Sequence, residues 1–384
     1  MTIGAKRILF AFASHEFGGA ERQILNLAQH LKDRNCSVHI WNCLPGPGAV
    51  TEVWNAANIP VSSQHFIWPC RKSSFVVNGI KFARALRKLA PDIILPYTTF
   101  PNVACGLFWR FSPARVCIWS QRNVNCLTGD RVERFAYQQS SAVVCNASHE
   151  VDYLRNTLGP ASPPTYVVHN GVHLPPVRVA RQQWRAQHRI PADAVVFTMA
   201  ANFREQKDHL ALLRGWLEAQ KGFSRYEPQP VLVLAGAPQT TYAAVESFIS
   251  EHQLAGSVRI LQRVLHISDL LAASDVGILI SHYEGLSNSI VEYMLAGLPV
   301  IASDLPGNRE ALGDDLLQPP VPQRSPFAIA RLLQEYSRNE GLRIQLGLRN
   351  RERAESLFSF NAMCIKTVSV IEDVYCSHRR RRFL

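Results

Sequence analysis

The sequence predicts an α/β protein built on two doubly wound parallel sheets. Three observations carry that expectation. Short apolar runs rich in Val, Ile and Leu recur along the chain, separated by longer stretches with helical spacing. Such alternation builds parallel sheets covered by helices. At 384 residues and 47% hydrophobic side chains, the chain is long and apolar enough for two cores. Near its middle the turn signal Asn170-Gly171 sits among Pro160, Pro163, Pro164, Pro175 and Pro176, which suits a junction between domains. We place one domain over 1–171 and a second over 172–360.

The first half reads as strands over 8–13, 37–41, 59–63, 92–96, 115–119, 142–145 and 165–168, joined mostly by helices. The helix over 20–31 shows its apolar stripe at Ile24, Leu27, Ala28 and Leu31. Further helices are expected over 77–89 and 130–139. The second half opens with a helix over 180–188 and strands over 194–201 and 230–236. A helix over 242–252, a strand over 257–261 and a helix over 267–273 follow. The stretch 275–312 then reads strand, loop, helix, strand, loop, short helix. Its first helix, over 288–296, carries Ile290, Val291, Met294 and Leu295 at helical spacing and stops at Gly297, with Pro299 just beyond. Helices over 326–338, 342–358 and 361–375 complete the chain.

Composition narrows the function. The formal charge is +11, a bias toward nucleotides, nucleic acid or an acidic membrane surface. No basic strand rich in aromatics and no nucleic-acid motif is present, so nucleic acid is not expected. No run approaches eighteen apolar residues, so no membrane-spanning helix is expected. Lys6-Arg7 precedes the apolar run ILFAFA, but that run is too short for a signal peptide and reads as the first strand. Nine cysteines without a CxxC pair point to reduced thiols in the cytosol, with neither disulfides nor zinc. No clustered Asp, His or Cys set predicts an essential metal or other cofactor. The tail Arg379-Arg380-Arg381-Arg382 reads either as a solvated charge run or as a polybasic contact with anionic lipid at the membrane surface.

Three loops carry chemistry. The loop 281–287 lies at the carboxyl edge of the second sheet, where open α/β sheets bind ligands. There Gly285, Leu286, Ser287 and Asn288 offer backbone N–H groups at a helix start, which suits a phosphate. Glu284 stands before that seat and Glu292 after it, so both could bind sugar hydroxyls. Alternatively, Ser289 and Glu292 form a capping box. The turn Phe17-Gly18-Gly19-Ala20-Glu21-Arg22 lets backbone approach a ligand closely, or is a tight strand–helix turn; it is not the GxGxxG fingerprint. In Asn202-Phe203-Arg204-Glu205-Gln206-Lys207, two cations lie between a strand end and a helix start and suit a diphosphate. As surface charges they would oppose the helix dipole.

The string EGLSNSIVEYMLAGLPVIAS, followed by PGNREAL, resembles the Glu-x7-Glu region of retaining GT-B glycosyltransferases, especially glycosyltransferase family four. The resemblance covers nearly the whole chain. It implies two Rossmann-like domains, with a last helix over about 361–384 returning to the first, and closure of the domains over the substrates. The reaction implied is retaining transfer of a hexosyl or N-acetylhexosaminyl group from a nucleotide-diphosphate sugar, with UDP the expected nucleotide, to an acceptor hydroxyl. Glu284 would face the donor sugar, Glu292 the ribose, and the Leu286–Ser289 backbone the diphosphate. Gly18 and Gly19 are similar to the glycine loop that abuts the donor. Lys207 matches the family's lysine position. The family's arginine position is Asn202 here, so either Arg204 has taken over that role or one cation suffices. Val264, in a loop similar to the one that packs on the nucleotide base, joins the donor set through its backbone. Pro306–Asn308 would lie near the donor sugar, and Glu310 is a weaker candidate there.

Where many relatives carry a histidine, this chain has Gln121, Arg122 and Asn123. Arg122 would then bind phosphate or an acidic acceptor, or be a solvated rim residue. His15, Glu21 and Arg22 are the acceptor-side candidates, although Glu21 and Arg22 also suit a helix-start ion pair. A lipid-linked saccharide or glycolipid is the expected acceptor, in the assembly of surface polysaccharide or lipopolysaccharide. The expected location is the cytoplasm, peripheral at the inner face of the cell membrane. A nucleotide-sugar 2-epimerase of the same fold and a non-enzymatic nucleotide- or nucleic-acid-binding protein are the alternatives.

Overall fold

The structure is a computed structural model that describes residues 3–15, 19–44, 49–64, 66, 72–122, 124, 126–223, 228–262, 264, 266–313 and 318–378. It divides into two units, Met1–Gly171 with Phe360–Leu384, and Val172–Ser359.

The first unit runs β1 (Arg7–Phe12), α1 (Gly19–Asp33), β2 (Ser37–Asn42), α2 (Ala49–Ala56), β3 (Val61–Ser63), α3 (Lys72–Leu89) and β4 (Ile93–Pro96). It continues through α4 (Thr99–Phe108), β5 (Val116–Gln121), α5 (Arg131–Gln139), β6 (Ala142–Cys145), α6 (His149–Leu158) and β7 (Thr165–Val167). The strands form one sheet in the order β3-β2-β1-β4-β5-β6-β7, and every pairing is parallel. The central strands are apolar on both faces because helices cover both. Phe10, Phe12, Ile24, Leu27 and Leu31 share one core, while Leu9, Trp41, Phe82, Leu86 and Ile94 share the other.

The second unit runs α7 (Arg181–Gln187), β8 (Val196–Ala200), α8 (His209–Gln220), β9 (Val231–Ala235), α9 (Tyr242–Glu251), β10 (Val258–Leu261) and α10 (Ile267–Ala273). Then come β11 (Val276–Leu279), α11 (Asn288–Leu295), β12 (Val300–Ala302), α12 (Pro306–Leu312), α13 (Pro326–Arg338) and α14 (Glu340–Leu357). Its parallel sheet has the order β10-β9-β8-β11-β12. The outer edge of β12 is covered: Gln318 Oε1 accepts from Val300 N at 2.9 Å, and the buried Asn350 side chain donates to Leu298 O at 2.8 Å. At the same, amino-terminal end of the strands, the buried Arg185 guanidinium donates to the carbonyls of Ala273, Ala192 and Ala194 and to Asp275 Oδ2 at 2.7–2.9 Å. Asp275 in turn accepts from Val196 N at 2.8 Å. That network fixes where β8 and β11 begin, and it places Asp275 just before its strand.

The last helix, α15 (Phe360–Ser377), begins one residue earlier than expected. Its Met363, Cys364, Val368, Ile371 and Val374 join the core of the first unit. Glu372 Oε1 accepts from Ile3 N at 3.2 Å, and Arg115 donates to His378 O at 2.5 Å. Residues 379–384, including the arginine run, lie outside the described residues. No helix is long and apolar enough to cross a membrane among the described residues. All eight described cysteines are free.

Candidate active site

In the second unit the sheet order reverses direction between β8 and β11, the switch point at which open α/β sheets bind ligands. These two strands pair only through Val276 with Phe197 and Gly277 with Thr198. Beyond that register they part, and Tyr293 of α11 fills the gap. Its hydroxyl accepts from Ala200 N at 2.7 Å and donates to Ile278 O at 3.2 Å, replacing a ladder bond on each strand. Gly277 makes room for it: a Cβ there would lie 2.3 Å from the Tyr293 ring. Ser289 Oγ donates to Ala200 O at 2.9 Å. Helix α11 is thereby pinned with its first turn at the mouth of the parted strands.

The loops after β8 and β11 are tied to one another. Asp208 N donates to Ile280 O at 3.0 Å, His282 N to Gln206 O at 2.9 Å, and Gln206 Nε2 to Tyr283 O at 2.8 Å. Asp208 caps α8 by accepting from Ala211 N at 2.9 Å, and its other oxygen lies 3.5 Å from His282 Nε2. His209 Nδ1 donates to Lys207 O at 2.9 Å, and its ring stacks on Phe203. Burial pushes the His209 imidazole down to about 4, so it is neutral at pH 7. These contacts hold the two residues that face one another across the loops, Lys207 and Glu284. Lys207 Nζ donates to Glu284 Oε1, and the pair is largely buried, at 16% and 8% side-chain exposure.

Glu292 is buried on α11, with Leu286 and Ser287 buried just before it. Ser287, not Ser289, occupies the N-cap position, with φ −75° and ψ 120°. The capping-box alternative for Ser289 and Glu292 therefore fails: Ser289 lies inside the helix and its hydroxyl is used on Ala200. The N–H groups of a helix's first turn have no carbonyl one turn earlier in the helix. At Asn288 and Ser289 they add the positive end of the dipole to this edge.

The neighbouring candidates divide. Asn202 Oδ1 accepts from Ala237 N at 3.0 Å, so Asn202 holds the turn after β9. Arg204 is exposed, with Nε donating to Gln239 Oε1 at 2.6 Å, whereas Lys207 pairs with Glu284. Val264 packs its side chain against the Trp184–Leu270 core, which leaves its backbone for any base contact. Near β12, Arg309 grips Asp304 through two nitrogens at 2.5 and 2.9 Å, and Asn308 Nδ2 donates to Ser303 O at 2.9 Å. Among the described residues no group of three or more His, Cys, Asp or Glu could hold a metal ion.

The first unit carries its own polar edge. Arg122 is not a solvated rim residue: it is buried, donates to Asn170 Oδ1 at 2.9 Å and to Tyr97 OH at 3.3 Å, and lies over the Tyr97 ring at 4.8 Å. Gln23, which sequence reasoning passed over, clamps the Gly171 peptide by donating to its carbonyl at 2.8 Å and accepting from its N–H at 3.2 Å. Both side chains therefore hold the Asn170-Gly171 turn. Gly19 starts α1 and is exposed, as are His15 and Arg22, whereas Glu21 is buried. Gly18 and Asn123 lie outside the described residues.

Glu150, beside this network, is fully buried; its Oε2 accepts from Asn146 N at 2.8 Å, and its Oε1 has no hydrogen-bond partner among the described residues. Burial raises its carboxyl from 4.5 to about 7. The folded state thus holds this proton more tightly than the unfolded chain. The resulting stability is complete below pH 4.5 and is lost as pH rises through 7. Glu150→Gln should leave stability unchanged near pH 4.5 and raise it at pH 8 by on the order of 2–3 kcal/mol. Urea unfolding at the two pH values checks this; an equal effect at both contradicts it.

Comparison with known proteins identifies the family. The family model described as Glycosyl transferases group 1 matches residues 180–353, and Glycosyltransferase Family 4 matches residues 17–174. Together with the fold, these matches define a GT-B glycosyltransferase, an enzyme. Within that class the chain belongs to the group 1, family-four type. It is 25% identical to glycosyltransferase EpsF of Bacillus subtilis (strain 168) over 325 residues, 79% of this chain and 80% of that one. It is 26% identical to the D-inositol 3-phosphate glycosyltransferase of Streptomyces avermitilis over 62% of this chain, and there it spans only about half of the relative, 53%. Among solved structures, Anabaena Alr3699/HepE in complex with UDP and glucose superimposes with a TM-score of 0.81 at 18% identity, covering 96% of this chain and 100% of that one. WaaG, a glycosyltransferase involved in lipopolysaccharide biosynthesis, gives 0.72 at 13% identity, covering 95% and 99%.

Proposed function

We propose that the chain transfers a hexose or N-acetylhexosamine from a UDP sugar to an acceptor hydroxyl with retention at the anomeric carbon. The observation that carries this is the Lys207–Glu284 pair, largely buried at the parted ends of β8 and β11 beside the first turn of α11. The bond from the anomeric carbon to the diphosphate breaks, and a bond to the acceptor oxygen forms. The acceptor proton leaves with the diphosphate. Lys207 and the first-turn amides of α11, without a metal, meet the charge growing on the leaving diphosphate. Glu284 orients the sugar and stabilises positive character at the anomeric carbon, and Glu292 holds the ribose. UDP is favoured by the complex of UDP and glucose in the Anabaena neighbour.

A lipid-linked saccharide or glycolipid of surface polysaccharide is the acceptor class we favour, which puts the enzyme in the cytoplasm at the inner membrane face. The net charge of +11 suits such an anionic surface. Incubation with UDP-glucose or UDP-N-acetylglucosamine, with and without a lipid-linked acceptor, tests the scheme. Release of UDP should require the acceptor, and the new linkage should keep the donor's anomeric configuration by NMR. Epimerisation at C2 without any acceptor would instead establish the 2-epimerase.

A further inference from the structure

Helix α3 presents an exposed face that the transfer chemistry leaves unused. In its sequence KSSFVVNGIKFARALRKL, Phe82 and Leu86 are buried, whereas Val76, Val77 and Ile80 are 63%, 53% and 47% exposed. Lys81, Arg84, Arg87 and Lys88 are exposed as well. At 3.6 residues per turn, these seven side chains fall within one arc of about 140°. The helix contains no Asp or Glu. Beside it, Phe111 is 64% exposed on the short turn Trp109–Phe111, and Phe108 lies between Phe75 and Phe111 with ring centroids 6.4 Å from each. Single exposed apolar residues need no explanation, but three aliphatic side chains and a phenylalanine set among four cations form a patch of a defined kind.

We propose that this face of α3, together with Phe111, docks the protein on an anionic lipid bilayer. Aliphatic side chains can enter the acyl boundary while Lys and Arg reach back to the phosphates. The helix carries too much charge to span a membrane and suits one lying in the plane of the interface. A second copy of this chain fits poorly, because a two-fold contact would set the same four cations against themselves. A nucleic acid would find cations with only aliphatic side chains between them on the helix face, and the single exposed ring of Phe111 beside it, too little for a run of stacked bases. The docking is independent of the donor reading, since it uses no residue of the second unit.

Co-sedimentation of the full chain with vesicles of equimolar phosphatidylcholine and phosphatidylglycerol tests it. Wild type should pellet with these and far less with pure phosphatidylcholine. Arg84→Ala with Arg87→Ala should lower partitioning about 25-fold, about fivefold for each arginine at ~1 kcal/mol apiece. Val77→Asp with Ile80→Asp should abolish binding while leaving the melting temperature and donor affinity unchanged, because both positions face solvent. A chain ending at His378 should keep binding that the α3 substitutions then remove, which separates α3 from the arginine tail. Full binding by the Val77→Asp, Ile80→Asp chain would overturn the proposal. So would equal binding to neutral vesicles, or a concentration-dependent dimer lost in that variant when wild type ignores lipid.

Discussion

Glu284→Gln should lower turnover by about 10²–10³-fold, the range seen when one preorganised electrostatic stabiliser is removed from an active site. The amide has nearly the carboxylate's size and stays in a site only 8% exposed, so packing is retained. Its charge is lost where positive character would develop on the sugar. Lys207, its partner, is then free to meet the diphosphate. Donor affinity should therefore hold or tighten while kcat falls, the pattern of an interaction made mainly in the transition state. Steady-state kinetics with the productive donor, alongside a binding measurement, reads both quantities. A variant that keeps wild-type kcat would remove Glu284 from the chemistry.

Lys207→Ala should act on the other quantity. The ammonium is the cation that the structure brings to Glu284, and Arg204 is held away on Gln239. Loss of a hydrogen bond to a charged phosphate weakens binding by about 1.5–3 kcal/mol, or roughly 10–150-fold in Kd. Arg204→Ala should change the affinity much less, since its guanidinium is exposed. The contrast decides which cation serves the diphosphate in a chain that has Asn202 at the family's usual arginine position. Equal losses in both variants would contradict the placement.

Much of the frame was legible because buried parallel strands and their helices have different periods. The strand over 142–145 and the helices over 267–273 and 326–338 match their observed bounds. The junction at Asn170-Gly171 was marked by turn residues and prolines, and the unit boundary falls there. Helix α2 was not read as an element, and at Ala49–Ala56 it is only eight residues long.

What stayed hidden depends on partners distant in sequence. Tyr293 carried no signal of its own in the sequence, yet Gly277 and the parting of β8 from β11 make it the bridge between strands. The capping-box pattern at Ser289 and Glu292 was misleading, because the helix already begins at Asn288 and Ala200 O claims the Ser289 hydroxyl. The sequence left Arg122 open between an anion contact and a solvated rim residue, and Tyr97 and Asn170, from two other strand ends, explain its burial. Gln23 gave no local signal, because its partner Gly171 lies 148 residues on.

The central claim is that the second unit seats a nucleoside diphosphate at the ends of β8 and β11. Isothermal titration of the full chain with UDP, GDP and ADP tests it most directly. One nucleotide, UDP on the present account, should bind in a single-site isotherm that weakens on substitution of Lys207 and of Glu292. No heat with any of the three, or binding indifferent to both substitutions, would contradict the account.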